Sequence, residues 1–130
     1  MGQIDRAASV ALVVEDDAEI RHLAAALLEE SELRVIECES AEAALSIMQR
    51  LESGIALLFV DIRLPGLIDG LDLACLVRTH WPHVNVIVTS GAPGDHLARL
   101  PEGAAYMPKP WRPLDVLIAA ERSLPRHASA

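Results

Sequence analysis

Five short apolar runs, all but the fourth followed by apolar residues at helical spacing, restrict this chain more than any other feature. "VALVVE" (10–15), "IALLFV" (55–60) and "VNVIVTS" (84–90) are rich in β-branched residues and short enough for strands. "LRVIE" (33–37) is more mixed and "AYM" (105–107) is brief. Between them Ile20, Leu23, Ala24, Leu27 and Leu28 recur with helical period. So do Ala44, Ile47, Met48 and Leu51, then Leu73, Leu76 and Val77, then Leu114, Leu117 and Ile118. The pattern predicts an α/β fold of (βα)₅ type, a parallel sheet with helices on both faces in three layers.

Strands covered on both faces read as continuous apolar runs, so 10–15, 55–60 and 84–90 belong at the centre of the sheet. The mixed 33–37 run and the short 105–107 run then fall at its edges. Pro108 agrees, because proline has no ladder donor and is tolerated at an edge. The fourth helix is the weak element. Between Ser90 and Tyr106 the chain reads "GAPGDHLARLPEGAA", with breakers at both ends. At about 3.6 residues per turn it holds at most about two turns, around Asp95 to Leu100, so a short or irregular helix is expected.

The 130 residues suit one domain with its own core, expected over about 9–124 with frayed tails at both ends. A net charge of −8 argues against nucleic acid, which needs clustered Lys and Arg. No apolar run approaches the roughly 20 residues of a membrane span. "MGQIDR" carries neither a signal-peptide core nor a myristoylation motif, so a cytoplasmic location is expected. Cys38 and Cys75 read as small buried hydrophobes rather than a disulfide.

In an open α/β sheet, ligands gather at the carboxyl ends of the strands. Those ends carry Glu15, Asp16 and Asp17, then Asp61, then Thr89 and Ser90, then Lys109. Each has a plain alternative. Asp17 is most simply an N-cap. Glu15 and Asp16 can be solvated loop carboxylates, and Asp61 a turn residue. Thr89 can be a strand residue, and Lys109 a surface lysine. Their joint placement is the signal.

Neighbouring carboxylates repel unless a positive charge stands among them. An all-oxygen site of this kind suits Mg²⁺. A carboxylate can also be a nucleophile that forms an acyl phosphate. Lys109 is the only lysine in a chain whose other ten basic residues are arginine. A compact ammonium can follow charge from carboxylate to phosphoryl, whereas arginine's planar fork does not substitute cleanly. The Lys109–Pro110 bond is a candidate for cis geometry.

"VALVVEDDAEIR", "LLFVDIRLPG…DG", "VIVTSG" and "YMPKPW" together resemble the receiver domain of two-component response regulators, over essentially the whole chain. The resemblance implies a flavodoxin-like sheet of order 2-1-3-4-5, the order for which a member of this family is a standing example. It implies Asp61 as phosphoacceptor and Glu15 and Asp16 as the acidic pair holding Mg²⁺, with the backbone carbonyl of Arg63 completing the metal site. It implies Thr89 as switch hydroxyl, Lys109 as the family's amine, Tyr106 as the switch aromatic and Pro110 as the cis proline. The implied activity is a phosphorylation-dependent signalling switch, not an enzyme, that assists its own phosphorylation and dephosphorylation. Implied partners are a histidine kinase or phosphotransfer protein and a downstream protein target, with the chain a monomer or weak dimer. As the chain ends just past the fifth helix, a stand-alone receiver over 1–130 is expected.

Two departures stand out. The loop Pro65–Gly70 is one residue longer than the family's usual spacing, which blurs the start of the third helix. The segment from Thr89 to Lys109 is shorter than usual. Two rival readings remain, a degenerate receiver acting as a docking module and an aspartyl-nucleophile phosphohydrolase. The hydrolase is disfavoured because Arg63 stands where a general acid is expected. "HWPH" (80–83) is read as a surface turn rather than a zinc site. His22, His96 and His127 are not placed as phosphohistidine relays.

Overall fold

The computed structural model describes residues 10–92 and 94–124. The tails, with His127, and the side chain of His96 lie outside the described residues. The strands are β1 Val10–Val14, β2 Arg34–Cys38, β3 Ile55–Asp61, β4 Asn85–Ser90 and β5 Ala105–Pro108. The α-helices are α1 Ala18–Glu29, α2 Ala41–Leu51, α3 Gly70–His80 and α4 Pro113–Ser123. Among its described residues the fourth crossover holds no α-helix. It is a 3₁₀ segment, Gly94–Arg99, as its flanking breakers predict.

All strands are parallel, in the order β2-β1-β3-β4-β5. The continuous apolar runs are central and the mixed and brief runs are the edges. Every residue of β3 is buried, whereas β5 is half-buried or exposed throughout and β2 is so except at Cys38. Strand period divides the core in two. Leu12, Val14, Leu58, Val60, Val86 and Val88 face α2 and α3, against Ala44, Met48, Ala74 and Val77. Ala11, Val13, Leu57, Phe59 and Ile87 face α1 and α4, against Ala24, Leu28, Val116, Ala119 and Ala120. Each fully buried Leu, Ile, Val or Phe contributes about 1.5–3 kcal/mol of transfer free energy.

Helix starts are set by side chains. Asp17 accepts the N–H groups of Glu19 and Ile20 and is the N-cap of α1. Asp69 accepts from Asp72 N–H, while the Asp72 carboxylate accepts from Asp69 N–H, a reciprocal box that fixes the start of α3 at Gly70 despite the longer loop. Glu42 accepts the N–H groups of Leu67 and Ile68, so α2 holds that loop from the side.

Three expectations need correction. The buried stripe of the last helix is Val116, Ala119 and Ala120, while Leu114 and Ile118 are 66% and 41% exposed. Small alanines let α4 approach β3 and α1 closely, so residue size rather than apolar period sets its rotation. Leu23 on α1 is 55% exposed because Arg21, Ala24, Ala25 and Leu28 form the buried face of that helix. Cys38 is buried as expected, but Cys75 is exposed on α3; neither forms a disulfide.

Candidate functional site

The chain runs from β1 outward to β2, then returns past β1 to form β3. The loops leaving β1 and β3 therefore diverge, and a crevice opens at the carboxyl ends of these two strands. Register decides which side chains enter it. Val13 pairs with Phe59, Asp61 with Thr89, and Thr89 with Met107. Two residues on along each strand, Glu15, Asp61 and Lys109 project on the same side.

Lys109 Nζ lies 2.8 Å from Glu15 Oε1 and 2.9 Å from Asp61 Oδ1. Glu15 and Asp61 are buried, and the Lys109 side chain is 19% exposed. Glu15 Oε2 accepts from Asp17 N–H and Asp61 Oδ2 from Arg63 N–H. Carboxylate oxygens of Glu15, Asp16 and Asp61 lie within 4.8 Å of one another, Asp16 being the exposed member. Burial pushes the Glu15 and Asp61 carboxyls above their ordinary values; bonding to Lys109 offsets this only in part. Burial alone would lower the Lys109 ammonium, but its bonds to Glu15 and Asp61 outweigh this and hold it above its ordinary value. One ammonium thus serves two carboxylates that are short of positive charge.

Thr89 is buried beside Asp61, and its Oγ1 accepts from Trp111 Nε1 at 2.6 Å. Tyr106 is half-buried on β5 and donates its hydroxyl to the Ser90 carbonyl at 3.0 Å. Arg63 is exposed at the rim. The Lys109–Pro110 peptide is cis.

Five contributors lay beyond the sequence reading. Arg21, on α1, is buried; it donates to the Glu15 carbonyl at 3.0 Å and to Glu37 Oε1 at 3.0 Å. It ties the end of β1 to the edge strand. His22 also contacts Glu37 Oε1, at 2.7 Å. Gly70 packs so closely that a Cβ there would stand 1.9 Å from the Asp61 carbonyl oxygen. Trp111 was legible only as a residue next to Pro110, and nothing in the sequence singled out Glu42, which holds the loop at Leu67 and Ile68. His80 ends α3 and precedes the turn into β4, in keeping with the surface-turn reading of "HWPH".

The fold and this arrangement of acids and amine are those of a response-regulator receiver. Residues 11–120 match the family described as the response regulator receiver domain, and the chain belongs to that family. It is 35% identical over 119 residues to the transcriptional regulatory protein FixJ of Azorhizobium caulinodans, covering 89% of this chain and 55% of that protein. Among solved structures it resembles a receiver domain protein from Clostridium thermocellum, with TM-score 0.79, 28% identity and coverage of 89% of this chain and 94% of that one. It also resembles the BeF₃-activated DrrB receiver domain, with TM-score 0.76, 25% identity and coverage of 90% and 97%. The chain spans 22% to 55% of the length of the curated regulators it matches. Receiver domains are in general phosphoacceptors rather than enzymes. Among the described residues no helix is long and apolar enough to cross a membrane.

Proposed function

We propose that this chain is a phosphorylation-dependent switch of a two-component pathway, with residues 10–124 acting as a single receiver unit and Asp61 as phosphoacceptor. The observation that carries the proposal is the double contact of Lys109 with Asp61 and Glu15. An ammonium held on the acceptor carboxylate can remain there as the carboxylate becomes an acyl phosphate and more negative charge accumulates. The donor is the phosphohistidine of a kinase or phosphotransfer protein. An Asp61 carboxylate oxygen forms a bond to phosphorus as the P–N bond breaks, and the imidazole leaves with the electron pair and takes up a proton. Arg63 N–H holds the second carboxylate oxygen, orienting the acceptor.

The oxygen-only donor set of Glu15, Asp16 and Asp61 fits Mg²⁺, with the Arg63 carbonyl as a further candidate ligand. When bound, Mg²⁺ would neutralise part of the charge on the transferred group. Thr89 would donate its hydroxyl to that group, and Tyr106 would respond from β5. The added charge, about −1.5 to −2 at neutral pH, then changes the surface presented to a downstream protein.

Incubation with Mg²⁺ and a radiolabelled small acyl phosphate should add one acid-stable, base-labile phosphoryl group. Equal labelling of Asp61→Asn would sink the assignment.

A further inference from the structure

We infer that Trp111 is a positioning residue for Thr89, holding its hydroxyl in the resting state and yielding it when Asp61 carries a phosphoryl group; this rests on the phosphoacceptor reading above. Trp111 Nε1 and Thr89 Oγ1 are 2.6 Å apart, and Thr89 is 1% exposed, so water does not compete for the contact. An indole N–H only donates, while a hydroxyl offers one O–H and two lone pairs. Trp111 therefore occupies a lone pair and fixes where Oγ1 stands. A phosphoryl oxygen only accepts, so it must take the O–H. The two partners draw on different parts of one hydroxyl, and the contest between them is over its position.

Packing settles which position Trp111 favours. Its ring meets Phe59 edge-on, with centroids 5.2 Å apart and planes at 76°. Phe59 precedes Asp61 by two residues on β3, one pleat repeat deeper on the same face. The indole thus holds Oγ1 from the layer beneath the acceptor carboxylate. The main chain of Thr89 is anchored, its carbonyl accepting Ile62 N–H at 3.0 Å, so adjustment falls on the side chain. A hydroxyl drawn toward a loaded Asp61 leaves the indole or pulls the ring with it. Trp111 also lines a surface cavity of about 300 Å³ with Ile20, Leu23, Lys109 and Pro110. Movement of the ring carries the state of Asp61 to the exposed side of α1, a route separate from Tyr106 and β5.

The test is equilibrium binding of beryllofluoride with Mg²⁺, followed by fluorine NMR. Trp111→Phe keeps an aromatic ring against Phe59 but has no N–H. It should bind the probe about twofold to tenfold more tightly, the equilibrium equivalent of releasing one net hydrogen bond. In a Thr89→Val background the same substitution should change nothing. Unchanged or weaker binding by Trp111→Phe, with wild type still loaded, overturns the inference and leaves the acceptor reading standing. A folded wild type that takes no beryllofluoride overturns both. Independently of Trp111→Phe, Trp81→Phe leaves Trp111 as the sole indole of the chain's two. Its emission should shift on loading, and a spectrum that stays fixed in a loaded protein overturns the inference.

Discussion

Lys109 Nζ stands 2.9 Å from Asp61 Oδ1 at the end of a sheet whose central strands are apolar along their middle residues. Removing that charge leaves two buried carboxylates without their shared partner. Lys109→Met should lower stability by about 2–3 kcal/mol in metal-free buffer, read as a lower urea midpoint. Lys109→Arg should not restore acyl-phosphate labelling, because a wide planar fork cannot occupy the point between Glu15 and Asp61. Full labelling of the arginine variant would contradict the charge-placement argument.

Mg²⁺ should stabilise the wild type against heat and urea. A ligand that binds only the folded state adds about 2.7 kcal/mol at 100 times its dissociation constant. Asp16→Ala, which removes the exposed acid of the cluster, should lose most of this increment while remaining folded. The comparison is a pair of melts, with Mg²⁺ and with chelator, for each protein. Identical wild-type midpoints in the two buffers would rule out a metal role for these acids.

Gly70 is required by close approach rather than by backbone angle. A methyl group there would meet the Asp61 carbonyl oxygen at 1.9 Å, which the backbone cannot absorb without moving β3 or α3. Gly70→Ala should cost about 1–3 kcal/mol, within the range measured for overpacking, and should weaken Mg²⁺ binding because the displaced strand end carries Asp61. Calorimetric titration with Mg²⁺ checks the second effect. Wild-type affinity in a folded Gly70→Ala protein would show that the strand end had not moved.

Asp69 gives a prediction in pH. Burial pushes its carboxyl upward, but the Asp72 N–H bond and the Arg99 charge, with further hydrogen bonds, hold it below its ordinary value of 3.8. A depressed carboxylate contributes stability that is present above its unfolded value and lost as pH falls through the folded one. Asp69→Asn should therefore be less stable than wild type at neutral pH, by roughly 1 kcal/mol. The gap should close as pH drops below about 3.8, the ordinary value of this carboxyl. Urea titrations of both proteins across that window measure it. A gap independent of pH would mean that the carboxylate charge contributes nothing.

Which strands lie at the centre and which at the edges, and the acidic crevice, were legible because they depend on local pattern, whereas the full order β2-β1-β3-β4-β5 followed from the family resemblance. Continuous apolar runs such as Ile55–Val60 demand cover on both faces, and polar residues closing such runs must gather at one end of the sheet. What escaped the sequence depends on contacts between distant residues or on the size of small ones. Trp111 and Thr89 are 22 positions apart, and Glu42 and Leu67 are 25 apart; neither pair shares a motif. The rotation of α4 turned on Ala119 and Ala120, which a count of large apolar residues passes over. Nothing in the sequence marks Arg21 for burial, yet its buried guanidinium reaches the Glu15 carbonyl.

Arg99, the last residue of the 3₁₀ segment, lies 3.1 Å from Asp72 Oδ1 and 3.5 Å from Asp69 Oδ2, so the fourth crossover is moored to the first turn of α3. The Arg99 side chain is about half exposed, which leaves this mooring open to the surrounding ion atmosphere. Raising the salt from 0.1 M to 1 M shortens the screening length from about 10 Å to about 3 Å and slackens the mooring. Screening does not weaken the hydrophobic layers beneath it, so ionic strength can shift this short segment while the sheet stays put.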